Sequence, residues 1–227
     1  MRQALCEHFF RYVAIPSQSD AASTQLPSSA GQRTLALLLA DELRALDLHE
    51  VKVNAHAIVT ATLPASPGHE HAPVVGFIAH LDTVDINLSP EIRPHLIRAY
   101  GGGDICLNRA QDLWLRAAEH PEIEAYIGDD IIVTDGTSVL GADNKAAIAA
   151  IMVALANIRA QHLPHGEVRI AFVPDEEIGL RGAKALDLAD FPVDFAYTID
   201  CCALGELCVE TFNAAHARIE AALPLAA

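Results

Sequence analysis

Residues 74–84 read VVGFIAHLDTV, and their pattern decides the fold. Six residues, 74–79, are almost entirely apolar and too few for a helix, which predicts a buried strand in the middle of a sheet. His80 and Asp82 follow at once, and side chains two apart in extended chain point the same way. On the N-terminal side, strands are expected at 51–53 and 57–63, before a Pro/Gly/His-rich turn at 64–73. Two helices precede them, at 2–13 and 31–46. The second carries an apolar stripe of Leu35, Leu38, Leu39, Leu43 and Leu46, suited to packing on a sheet. On the C-terminal side, residues 89–127 are irregular, with the apolar side around Trp114 read as helix packing. Strands are expected at 130–134, 168–173, 195–199 and 206–211, with a helix at 144–159. Strands alternating with helices predict an α/β domain: a mixed, mostly parallel sheet flanked by helices.

The chain has 227 residues, and 15 Lys+Arg against 30 Asp+Glu give a formal charge of −15. Such a chain repels phosphate backbones and has no basic stripe to offset that, which argues against nucleic-acid binding. Hydrophobic residues make up 52% and charged residues 20%, ample for a packed core. Mean hydropathy is +0.24, yet the longest apolar stretches fall short of the ~20 residues that span a bilayer. Glu7, His8 and Arg11 stand where a secretory signal needs an apolar run. Five unevenly placed cysteines do not suggest a disulfide framework. The location expected from these features is the cytoplasm.

Four segments set acids and a histidine at the ends of strands or loops. They are HLDTV from His80, GADNK from Gly141, PDEEIG from Pro174 and YTID from Tyr197. Singly, each has a plain structural reading. His80 can be a solvent-facing residue near a turn, Asp143 a helix cap, and Asp175–Glu177 a solvated loop. Together they place one imidazole and several carboxylates at the edge where open α/β sheets bind ligands. Such a donor set suits one or two divalent ions, with zinc, cobalt and manganese all reasonable. Asp82 is placed to orient His80, and a glutamate left free can take a proton from water. Lys145 is read as a solvated first-turn lysine.

These segments resemble the peptidase T family of tripeptide aminopeptidases, within the co-catalytic zinc metallopeptidases. The likeness rests on HLDTV, GADNKAAIA, PDEEIG, YTID, GELCVETFNAA from Gly205 and GGGDICLN from Gly101. It implies His80, Asp143 and Asp200 as ligands of a first zinc ion, with Asp143 bridging to a second that Glu177 also binds. It further implies Asp82 as the residue orienting His80 and Glu176 as the general base. The reaction implied is release of the N-terminal residue of a tripeptide by metal-activated water. Two Zn2+ are expected for a complete site, and one for this chain.

The family pattern runs on past residue 227 into a lid domain and then returns to the catalytic domain with a last histidine ligand. The expectation is therefore a catalytic portion over 1–212 and the start of a lid and dimerisation domain over 213–227. Impaired activity and a largely missing homodimer interface are expected too, since His216 does not match the absent ligand. The alternatives are an inactive metal-binding remnant, or a dipeptidase or N-acyl amino acid deacylase. Asn144 replaces a usual Asp, and Cys201 and Cys202 replace glycines.

Overall fold

In the computed structural model, which describes residues 1–200, 205 and 207–209, the chain opens with helices α1 (Arg2–Val13) and α2 (Ala30–Ala45). Strands β1 (His49–Val53), β2 (Val59–Leu63) and β3 (Val75–His80) follow. The irregular stretch then resolves into β4 (Pro94–Ile97), β5 (Ile105–Asn108), β6 (Leu113–Leu115), a 3-10 turn (Pro121–Tyr126) and β7 (Ile131–Thr134). Helix α3 (Ala142–Gln161), β8 (Val168–Val173), the short α4 (Arg181–Ala185) and β9 (Phe195–Thr198) complete the described part. The residues expected to begin a lid, 213–227, lie outside it. Of the strand expected at 206–211, only residues 207–209 are described, and they carry no regular structure.

The main sheet has the order β1-β2-β8-β3-β9. β1 with β2 and β2 with β8 are antiparallel, whereas β3 pairs in parallel with both β8 and β9. The sheet is thus mixed and flanked by helices, as the alternation of elements predicts. Residues 75–79 of the stretch lie, as expected, in an interior strand, although β8 is the central one. One face of the sheet, including Ala61, Phe77, Ala79, Ile170 and Phe172, joins side chains of α1, α2 and α3 in a single core. α3 can sit this deep because it is apolar nearly all round, with Ile148, Ile151, Met152 and Leu155 all buried.

Two small ribbons stand apart from this sheet: β4 paired with β7, and β5 with β6. They share their own cluster around Tyr100, Ile105 and Val133. Trp114 does not pack in a helix, as expected from its apolar neighbours. It lies on β6, 37% exposed, with the Arg116 guanidinium 4.7 Å from its ring. All four residues of the edge strand β9 are exposed.

Candidate metal centre

The parallel set β3, β8 and β9 decides where the chemistry lies, because parallel strands end on the same edge. His80 is the last residue of β3, Pro174 to Glu177 follow β8 directly, and Asp200 stands two residues after β9. Asp143 arrives from the kinked start of α3. Gly141 is the N-cap in the left-handed region (φ 71), and a Cβ there would meet the Ile92 side chain at 2.7 Å. Glycine takes this left-handed backbone without strain and spares the Ile92 terminal methyl a shift. Asp143 is not the helix cap expected from the sequence. It and Asn144 have non-helical backbone, so the regular helix begins at Lys145.

The side chains meet. His80 Nε2 is 2.8 Å from Asp143 Oδ1 and 3.9 Å from Glu176 Oε2. Its Nδ1 is 3.1 Å from the Asp82 carbonyl oxygen and 3.3 Å from Asp82 Oδ1. Ligand atoms of His80, Asp143 and Glu177 all lie within 4.8 Å of one another, as do those of His80, Glu176 and Asp200. These two groups cut across the assignment implied by the family, which puts Asp200 with Asp143 and leaves Glu176 free. The five residues form one cluster, in which four carboxylates surround a single imidazole.

Asp82 is fully buried and accepts three ways: its Oδ1 faces His80 and takes the Glu176 N–H at 3.0 Å, while Oδ2 takes the Glu177 N–H at 3.1 Å. One carboxylate therefore fixes the histidine and the backbone of both glutamates. Asn144, also buried, accepts from the His80 N–H at 3.3 Å and donates to the Ile199 carbonyl at 2.6 Å and to Asp200 Oδ1 at 3.2 Å. The amide thus ties α3 to the ends of β3 and β9, which a second aspartate could not do by donating.

The electrostatics suit a cation. Burial pulls the His80 imidazolium down, but the hydrogen bond and charge of Asp82, with Asp143 and Glu176, push it up to about 9. Burial, then Asp143, push the Glu177 carboxyl up to about 7. Glu176 and Asp200 are raised as well, each by burial first. Asp82 runs the other way: burial opposes its charge, but His80 and the two backbone N–H groups hold it low. Acids driven toward protonation beside an imidazole with oxygen at both nitrogens are a donor set that a divalent cation relieves. His80, Asp143, Glu176, Glu177 and Asp200 could all reach such an ion.

Lys145 departs from its expected solvated position. It is fully buried, and its Nζ donates to Ser17 Oγ at 2.7 Å, which in turn donates to the Leu81 carbonyl at 2.7 Å. Burial lowers its ammonium to about 8, against the pull of Asp82 and Asp143. Gln32, which the motifs did not single out, and Asp175, read with its two neighbours as a solvated loop, are also buried beside the site. For Gln32 a signal existed: it stands three residues before Leu35, on the stripe that α2 buries.

Residues 140–213, which include Asp143, Glu176, Glu177 and Asp200, match the family model described as Peptidase family M20/M25/M40. The chain is 59% identical over 219 residues to a peptidase T-like protein of Rhizobium meliloti, covering 96% of this chain and 53% of that protein. It is 48% identical over 221 residues to a peptidase T of Geobacillus thermodenitrificans, again covering 96% and 53%. The resemblance to the peptidase T family holds over nearly the whole chain. The chain spans about half the length of these peptidase T relatives. A crystal structure of a tripeptidase from Staphylococcus aureus superposes with a TM-score of 0.64 at 26% identity, covering 89% of this chain and 44% of that one. The peptidase T likeness therefore extends to the fold. No helix among the described residues is long and apolar enough to cross a membrane.

Proposed function

We propose that this chain carries the catalytic machinery of a metal-dependent aminopeptidase that releases the N-terminal residue of tripeptides. The observation that carries the reading is the meeting of His80 with Asp143, Glu176, Glu177 and Asp200 at the edge where β3, β8 and β9 end. His80 would bind through Nε2, with its Nδ1 proton held against Asp82. Asp143 and Asp200 would complete a first position, and Asp143 with Glu177 a second. A divalent cation, zinc in our reading, supplies Lewis acidity to the scissile carbonyl and to the attacking water. Glu176 takes the proton from that water at its carboxylate and passes it to the leaving amine. Its raised carboxyl suits a base that must also return the proton. The Asp82 carboxylate keeps Glu176 and Glu177 in place by holding their N–H groups, without touching the substrate.

The experiment is hydrolysis of Ala-Ala-Ala by the purified chain with zinc or cobalt, with Glu176→Gln alongside. We expect release of N-terminal alanine that the variant loses while still binding metal. A second reading, metal binding without turnover, is favoured by His80 being the one imidazole in the cluster among the described residues. About one zinc per chain with no alanine released would replace the first reading by the second. Turnover of dipeptides or N-acyl amino acids with the tripeptide inert would correct the substrate.

A further inference from the structure

The loop that presents Glu176 and Glu177 is gripped from two sides. Three successive backbone N–H groups, of residues 175, 176 and 177, are each taken by a side chain. Asp82 takes the last two, and Gln32 Oε1 takes that of Asp175 at 2.9 Å. The same Gln32 amide donates from Nε2 to Asp175 Oδ1 at 2.6 Å. Asp175 itself is fully buried, with its backbone in the left-handed region (φ 54), a conformation disfavoured for a residue with a side chain. Its carboxylate also accepts from the Ser28 N–H at 2.7 Å and from the Ser28 hydroxyl at 2.5 Å. Two residues 143 and 147 positions away in sequence thus hold this turn.

Gln32 is placed there by a close approach. A Cβ at Gly31 would lie 1.6 Å from the Pro16 carbonyl oxygen, so glycine alone lets the start of α2 reach this depth. Gln32 follows on the buried face, with no exposed surface. Its amide is two-pronged: the acceptor meets a backbone donor and the donor meets a carboxylate, both on Asp175. A hydrophobic side chain at this point of the stripe would pack equally well against the core, but would leave both groups of Asp175 without the amide. The hydrogen-bonding pattern, not the burial, is what the position supplies.

We propose that Gln32 is a positioning residue for the Glu176–Glu177 pair, acting through Asp175. The inference rests on the metal-peptidase reading above, in which Glu177 is a ligand and Glu176 the base. Gln32→Glu keeps the acceptor for the Asp175 N–H but sets a carboxylate oxygen against Asp175 Oδ1. Asp175→Asn sets an amide against the donors of Gln32 or Ser28. The double variant reverses the polarity of the pair. The new carboxylate at position 32 accepts from the new amide at position 175, the Ser28 hydroxyl rotates to accept, and the net charge is unchanged.

Zinc affinity by calorimetry and kcat and KM for Ala-Ala-Ala are measured on wild type, both single variants and the double variant, with far-UV circular dichroism to show folding. Each single variant is expected to weaken zinc about 10-fold or more, and to lower kcat with KM within about twofold. The double variant is expected to recover most of both. Should Gln32→Glu not fold, Ser28→Ala removes one donor from the same carboxylate and is expected to weaken zinc in the same direction. Folded single variants with wild-type zinc affinity and kcat overturn the positioning role, as does a double variant no better than either single. A wild type that binds zinc without cleaving tripeptides, with variants still weakening zinc, supports positioning and overturns the peptidase reading. A wild type that neither binds zinc nor cleaves overturns both.

Discussion

His80 and Asp82, at the end of β3, are 3% and 0% exposed, whereas the Asp143 side chain that faces them is 64% exposed. On the buried side every polar group has its partner within the protein: Asp82 has the imidazole and two backbone N–H groups, and Lys145 has Ser17. On the open side Asp143, Glu176, Glu177 and Asp200 have mainly one another and His80. The contrast separates two tasks. Groups that orient, and the one imidazole, are built into the core, while the carboxylates that would bind a cation are held at its rim, where their mutual repulsion costs stability until a cation arrives.

The largest effect is expected on the buried side, at Asp82. Asp82→Ala takes the facing carboxylate from His80, whose Nδ1 keeps only the backbone carbonyl of residue 82, and strips two backbone donors of their acceptor; it is expected to lower the unfolding free energy by about 3–5 kcal/mol in urea titrations. A loss below about 1 kcal/mol, the range of exposed ion pairs, would mean that the buried side is not the structural one. Asn144→Ala is expected to come next, at about 1–3 kcal/mol in the same titration, because the Ile199 carbonyl loses its donor. An unchanged midpoint would show that the tie between α3 and the ends of β3 and β9 is dispensable.

A change of pH acts on the two sides without a mutation. The folded-state values of Glu177, about 7, and His80, about 9, lie above their ordinary 4.5 and 6.5. Both groups bind protons more tightly when folded, so their contribution is fullest at low pH and is lost as pH rises through the folded values. The metal-free chain should therefore lose stability between pH 5 and pH 8. Zinc replaces the departing protons, so the rise in melting temperature on adding zinc should be larger at pH 8 than at pH 6. An equal rise at both would show that the cation does not compete with these protons. Smallest of all should be Glu177→Gln in the metal-free chain at pH 8. Loss of one repelling carboxylate is expected to leave stability within about 0.5 kcal/mol of wild type, on the favourable side, while calorimetry shows weaker zinc binding. A loss beyond that would place Glu177 among the structural residues.

Much of this was legible in the chain because the acids stand directly after short apolar strands, and parallel strands gather their ends on one edge. The helix at 2–13 and the strand at 168–173 are found with their expected bounds. What escaped depends on contacts between distant segments. Lys145 reads as an ordinary first-turn lysine, and only Ser17, 128 residues away, reveals that its ammonium lies inside. β4, β5 and β6 have three or four residues each, too few for alternation to show. Trp114 misled because an apolar run of that length fits helix and strand alike. Gln32 carried a local clue, a polar residue on an apolar stripe, but its partner Asp175 is set only by the tertiary fold.

The parallel register of β3 with β8 and β9 also has a consequence in time. His80 and Asp200 stand 120 positions apart, and no two neighbouring elements of the chain can bring these groups together; they meet only when non-adjacent strands align side by side. Contacts of such long range form late in folding. A chain emerging from synthesis would then pass through its helices and its β1–β2 hairpin with no competence to sequester metal, and would acquire it in the last step. Refolding in stopped flow with a zinc-sensitive dye should show helix signal first and zinc uptake afterwards; simultaneous phases would mean that the strand ends align from the outset.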